Sequence, residues 1–321
     1  MRPRTALLTA PGDTSAEPVI LTSQLSKRYG ETHALYGMGL RVERGQVFAL
    51  LGGNGAGKTT MMRLLMGLQR PTSGHIRLFG VRLPTRRARV FSRIGALIES
   101  PSGYGHLTGR ENLEVVRRLR RARAADIDEA LGLVGLAESA DRLVRAYSKG
   151  MRQRLGIAMA LLGGPELVIL DEPTNGLDPE GIRDVRSLIA RLPERLKATV
   201  FVSSHLLHEV EQLATHVAVI RRGRLLFQGP LPGLLSCAEP KIAIGVDRPW
   251  QAKDVLAAQR FHVVTVSGTH VEVQSAPSRV PEIVRLLGEA GFTITRLCTE
   301  GPSLEELYFR LTADREGVSC P

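Results

Sequence analysis

Val47-Phe48-Ala49-Leu50-Leu51-Gly52-Gly53-Asn54-Gly55-Ala56-Gly57-Lys58-Thr59 is the stretch that decides the fold of this 321-residue chain. Five apolar residues read as a buried strand and run straight into a glycine-rich loop. Residues 58–69 then read as a helix, with Leu64, Leu65 and Leu68 on one face. Gly52-x-x-x-x-Gly57-Lys58-Thr59 matches the eight-position phosphate-loop pattern in full, in the strand–loop–helix context that the pattern requires. Successive backbone N–H groups in such a loop form an anion nest, reinforced by the positive end of the following helix. Gly52, Gly53, Gly55 and Gly57 allow close approach of backbone to phosphate, which a Cβ would block. Asn54, Ala56 and Thr60 complete the expected nucleotide-phosphate-binding set. Lys58 is expected to bridge the β- and γ-phosphates, and the Thr59 hydroxyl to ligate Mg²⁺.

Magnesium needs a carboxylate, and activation of water needs another. Leu167-Val168-Ile169-Leu170 reads as a second buried strand and ends in Asp171-Glu172, where ligands of parallel sheets bind. Asp171 is expected to hold Mg²⁺ through water and Glu172 to polarise the attacking water. Further strands are expected from residue 19, over 199–203 ahead of His205, and over 217–220. Residues 86–155 turn helical and Arg-rich. Strands alternating with helices imply an α/β fold, a mostly parallel sheet covered on both faces.

After Gln228-Gly229-Pro230 the character changes. Strand, helix, a hairpin across Ser267-Gly268-Thr269, helix and strand give the order β-α-β-β-α-β, the split βαβ or ferredoxin-like arrangement. A last amphipathic helix over 303–311 starts with Ser303 and Glu306 in capping spacing. The expected division is a disordered leader over 1–17, an ATP-binding domain over 18–235 with a helical subdomain at about 86–155, and a small α+β accessory domain over 236–321. No Cys/His cluster with metal spacing and no glycine loop marks that accessory domain.

Bulk properties narrow the setting. Hydrophobic residues make up 43% and charged residues 23%, as in an ordinary globular protein. A formal net charge of +11 suits an anionic partner, although an Arg-biased composition accounts for it equally well. Aromatics at 4% are too few for obvious base-stacking platforms, so no direct nucleic-acid contact is expected. Cys237, Cys298 and Cys320 show no CxxC pairing and fit a reducing compartment. No segment reads as a membrane span or a signal peptide, so any work at a membrane needs a span from another chain.

The motifs between and beyond these sites carry a resemblance. Tyr147-Ser148-Lys149-Gly150-Met151, followed by Arg152-Gln153-Arg154-Leu155, resembles the signature motif of the ABC ATPases. Asn175-Gly176-Leu177-Asp178-Pro179 resembles their D-loop and Ser203-Ser204-His205 their switch histidine, while Tyr29 takes the place of the aromatic that stacks on adenine. The resemblance covers residues 19–230. It implies a P-loop ATPase that hydrolyses ATP as a head-to-tail dimer, either a homodimer or a heterodimer with a second ATPase subunit. Ser148, Lys149, Gly150 and Met151 of one subunit would face the other's phosphate loop, with Asp178 in the D-loop and His205 at the γ-phosphate.

Three departures stand out from the usual pattern. Gly53 replaces a common proline, Lys149 and Met151 replace a glycine and a glutamine, and Glu99 occupies the Q-loop position after Ile94-Gly95-Ala96-Leu97-Ile98. A carboxylate at 99 can ligate Mg²⁺ or water but repels a polyanion, by roughly 4 kcal/mol for unit charges at ~4 Å and an effective dielectric near ~20. With Glu99, the run Ser100-Pro101-Ser102-Gly103-Tyr104-Gly105-His106 and the residues after it resemble the bacitracin-resistance and lantibiotic-immunity branch of bacterial ABC exporters, near the daunorubicin-resistance type. In that branch the ATPase is a separate chain that pairs with a separate permease, and residues 100–106 are the expected docking loop. The resemblance implies export of an antibiotic, peptide or hydrophobic drug, from a place on the cytoplasmic face of the cell membrane. The rival reading is a soluble ABC ATPase acting on ribosome or nucleic acid. Such factors usually carry two cassettes, zinc motifs or long coiled coils, and none is seen in this sequence.

Overall fold

Apolar runs and glycine turns set the element order in the computed structural model, which describes residues 17–98, 103–237, 239–301 and 303–312. First come β1 (Ile20–Tyr29), β2 (Thr32–Met38), β3 (Arg41–Val42), β4 (Val47–Leu51), α1 (Lys58–Leu65), β5 (Ser73–Leu78) and β6 (Val81–Arg82). Next are α2 (Arg87–Phe91), β7 (Ile94–Leu97), α3 (Gly109–Arg120), α4 (Ala125–Leu133), α5 (Lys149–Leu161), β8 (Leu167–Asp171) and α6 (Pro179–Leu196). Then follow β9 (Thr199–Ser204), α7 (Leu207–Leu213), β10 (His216–Arg221), β11 (Arg224–Pro230) and α8 (Leu231–Leu235). The chain continues with β12 (Lys241–Val246), α9 (Pro249–Ala258), β13 (His262–Val266), β14 (His270–Gln274), α10 (Val280–Glu289), β15 (Ile294–Glu300) and α11 (Leu304–Thr312). The expected leader, apart from residue 17, lies outside the described residues.

The chain divides into two compact units. One holds the residues up to Gln46 together with Thr59–Phe201. Its antiparallel sheet has the order β2-β1-β5-β6, with β3 also on β1. β7 pairs in parallel with β8, whose other neighbour is β9. Every residue of β8 is buried, as expected of a strand covered on both faces. Gly95 in β7 is required by close packing: a Cβ there would lie 1.9 Å from the Ala160 carbonyl oxygen of α5. The start of α3 is held by a capping box, in which the Thr108 hydroxyl accepts the Glu111 N–H and the Glu111 carboxylate accepts the Thr108 N–H.

Two local readings differ here. The helix expected over 58–69 stops at Leu65, because Gly67 takes φ +62° and the N–H groups of Gly67 and Leu68 turn back to the carbonyls of Leu64 and Arg63. That left-handed cap ends α1 one turn early. β7 lies inside the stretch read as helical. Its few apolar residues are flanked by Arg-rich sequence, which hides a short strand whose stability comes from β8 and α5.

The other unit holds Val47–Lys58 and the residues from Val202 on. β4 pairs in parallel with β10, and β10 antiparallel with β11. A separate sheet of order β13-β14-β12-β15, antiparallel throughout, carries α9 and α10 and has the order of a ferredoxin-like unit. Its core is built from alternate strand residues such as Ile242, Ile244, Val271 and Val273, closed by Leu256 of α9 and Leu287 of α10.

Candidate functional site

The phosphate loop follows β4, all of whose residues are buried. Gly55 and Gly57 take φ +76° and +110°, conformations that a side chain resists. Gly52 has no room for one, since a Cβ would stand 2.7 Å from the Ile220 carbonyl oxygen and 2.9 Å from the Ala56 Cβ. Lys58, itself 6% exposed, donates from Nζ to the Gly52 carbonyl at 2.7 Å and to the Gly53 carbonyl at 3.3 Å. The Ala56 N–H also donates to the Gly53 carbonyl, at 3.1 Å. Lys58 is thus folded back over its own loop, in which Asn54 and Gly55 are exposed. His205 belongs to the same unit and is exposed just past β9, whose six residues are all buried.

The remaining candidates lie in the other unit. Thr59 and Thr60 are half-buried in the first turn of α1. Asp171 closes β8 at 6% exposure, and Glu172 directly after it holds φ +47°. A left-handed backbone costs a non-glycine residue about 1 kcal/mol or more, and such residues gather at functional sites. The turn is closed by the Asn175 N–H, which donates to the Glu172 carbonyl at 3.1 Å. Asp178 caps α6 through an acceptor bond from the Gly181 N–H at 3.0 Å, with Pro179 opening the helix. Ser148 caps α5 in the same way, accepting the Met151 N–H at 3.1 Å. Lys149 reaches across to the loop after β8, where a Cβ on Gly176 would lie 1.9 Å from Nζ. The segments that resemble the signature motif and the D-loop, separate in sequence, therefore meet. Tyr29 is 42% exposed, its hydroxyl is bonded to the Gln69 side chain, and the Lys27 ammonium lies 4.9 Å from its ring centre.

Glu99 and residues 100–102 lie outside the described residues. The rest of the expected docking loop is anchored by Asn112, a residue that sequence reasoning missed. Asn112 Oδ1 accepts the Tyr104 N–H at 2.8 Å, and Nδ2 donates to the Tyr104 and Thr108 carbonyls at 3.1 and 2.8 Å. Asn112 is 1% exposed, whereas the Tyr104 ring is 56% exposed and stands edge-on to His106. Tyr308 was also missed as a site residue: its hydroxyl accepts the Gly53 N–H at 3.0 Å. No spacing pattern connects residues 255 apart.

Among the described residues, no helix is long and apolar enough to cross a membrane, and no group of three or more His, Cys, Asp or Glu side chains could hold a metal by itself.

Comparison with known proteins agrees with these motifs. The family model "ABC transporter" matches residues 35–175. The bacitracin transport ATP-binding protein of Bacillus licheniformis is 39% identical over 298 residues, covering 91% of this chain and 97% of that protein. The daunorubicin resistance ATP-binding protein of Streptomyces coeruleorubidus is 37% identical over 318 residues, covering 94% and 98%. A solved subunit of a Clostridium perfringens ABC transporter complex is similar at a TM-score of 0.61 with 28% identity, over 66% of this chain and 88% of that one.

Proposed function

This chain belongs to the ABC transporter ATP-binding family and is an ATPase coupled to transport; on that footing we propose that it powers export of a peptide antibiotic or hydrophobic drug through a separate permease. The observation that carries the export reading is the reach of the similarity. The bacitracin and daunorubicin relatives align over 91% and 94% of this chain, so the likeness includes residues well past the ATP-binding motifs. Residues 18–235 would form the ATP-binding domain, with its helical part at about 86–155, and residues 236–321 the accessory domain. The leader over 1–17 completes that division.

The site residues support a stepwise account. The nest of residues 52–60 binds the triphosphate, Lys58 neutralises it, and Tyr29 stacks on adenine. Mg²⁺ fits the donors present: the Thr59 hydroxyl and the Asp171 carboxylate are hard oxygen ligands, and magnesium is commonly held by one or two carboxylates plus substrate phosphates rather than by an all-protein cage. Bound there, it would offset charge on the phosphates. Glu172 orients the attacking water and accepts its proton, and the fixed turn after β8 sets where its carboxylate points. His205 hydrogen-bonds the γ-phosphate, while Glu99 adds a metal-side acceptor. Ser148, Lys149, Gly150 and Met151 close the site from a second subunit, identical or related, since a helix N-terminus favours the γ-phosphate charge. Asp178 fixes the D-loop beside them. Residues 100–106 dock on the permease, which holds the subunit at the cytoplasmic face of the membrane.

The test is co-expression with the candidate permease and detergent extraction. The reading expects recovery of this chain with a multi-span protein whose presence raises ATP turnover several-fold. Recovery with ribosomes or nucleic acid instead, and turnover indifferent to the permease, would support the soluble alternative.

A further inference from the structure

One hydrogen bond joins the last helix to the phosphate loop. The Gly53 N–H donates to the Tyr308 hydroxyl at 3.0 Å. Tyr308 lies midway along α11, whose Leu304 and Leu307 are buried and which packs on α7 and α8. Two residues earlier, Glu306 pairs with Lys241 at the start of β12. The Ser303 hydroxyl accepts the Glu306 N–H at 3.2 Å, which sets the first turn. α11 is therefore tied to the four-stranded sheet through Glu306 and to the phosphate loop through Tyr308.

That bond completes a network already present in the loop. The Gly53 carbonyl accepts the Ala56 N–H at 3.1 Å and the Lys58 ammonium at 3.3 Å. With Tyr308 in place, both polar backbone groups of Gly53 are engaged, one on each side of its Cα. A glycine peptide is otherwise free to rotate, and rotation here would turn the amides that follow out of their array. A Cβ added at Gly53 would meet the Tyr308 oxygen at an ordinary 3.7 Å, so the contact is one of polar groups rather than of steric need. Proline at this position would have no N–H to give.

We propose that Tyr308 is a positioning residue of the phosphate loop, its hydroxyl holding the Gly53 peptide so that the following amides stay set for phosphate. ATP affinity then depends on the seating of α11, and through Glu306 and Lys241 on the accessory sheet. This rests on the ATP-binding reading of residues 52–60.

The experiment titrates the full-length chain with ATP and Mg²⁺ by calorimetry and measures steady-state ATPase, for wild type, Tyr308→Phe, Gly53→Pro and the double variant. Tyr308→Phe is expected to weaken ATP binding about three- to tenfold, the worth of one hydrogen bond, with KM rising alike and kcat within about twofold. In the Gly53→Pro background the same change has no further effect, because the donor is already gone. Unchanged or tighter binding by Tyr308→Phe overturns the proposal. So does an equal loss in both backgrounds, which would mark the ring as merely structural. A wild-type chain that fails to bind ATP would overturn the ATP-binding reading itself, and the wild-type titration separates that result from the others.

Discussion

Glu166 shows how a single carboxylate fastens the strand that ends in Asp171, just ahead of Glu172. It precedes β8 and accepts hydrogen bonds from Arg93, at 2.7 Å for one of them, and from Arg44 at 2.9 Å. The Arg93 guanidinium in turn lies 3.7 Å from the Phe79 ring centre. Arg93 first, and Arg44 less, hold the Glu166 carboxyl down to about 2, against the opposing effect of partial burial. A group whose folded pKa is depressed adds stability that is present above its unfolded value, near ~4.3, and lost as pH falls through the folded one. The window is therefore roughly pH 4 to 2. With 41% of the side chain exposed, the contribution is discounted to about 1 kcal/mol. Urea midpoints of wild type and Glu166→Gln should differ near neutral pH and converge as pH falls through that window. A gap that stays constant with pH would mean that packing, not charge, is what the substitution removes. At this scale the placement of the Gly52 loop after β4 and of Asp171 and Glu172 at the end of β8 was legible, because each follows directly on an unbroken apolar strand. Glu166 and Tyr308 were not, since their partners lie 73 and 255 residues away.

Elements were legible where one face or the whole strand is apolar. β4 has the bounds that its unbroken apolar run predicts, and β12, α9, β13, β14, α10 and β15 come in the expected order. β5 and β6 were missed because they are short and half polar, and they exist by pairing with β1 and with each other. The segment before α3 is similar: no pattern marks it, and it is shaped by Asn112 on the following helix. Replacing Asn112 with Leu leaves the Tyr104 amide and two carbonyls without this partner. We expect about 1–2 kcal/mol of lost stability, read as a lower urea midpoint. ATPase of the isolated subunit should survive, while stimulation by the permease falls because the Tyr104–His106 surface loses its anchor. Unchanged stimulation would show that this segment does not dock the permease.

At the scale of the whole molecule, the ferredoxin-like unit could be read from its element order alone, and its sheet order follows. Beyond one chain, the proposed function requires a two-subunit ATP clamp, with the Ser148 helix end of one copy meeting the phosphate loop of another. Glu172→Gln keeps the shape of the side chain but removes the proposed base, so turnover should fall by about 100-fold or more while ATP still binds. Trapped ATP should then hold the dimer together. Light scattering on purified Glu172→Gln, without nucleotide and then with ATP and Mg²⁺, tests this most directly. The account predicts a shift from the mass of one chain to that of two with ATP, reversed by ADP and abolished by Ser148→Arg. A variant that binds ATP but keeps the mass of one chain, or that dimerises equally with Ser148→Arg, would contradict it.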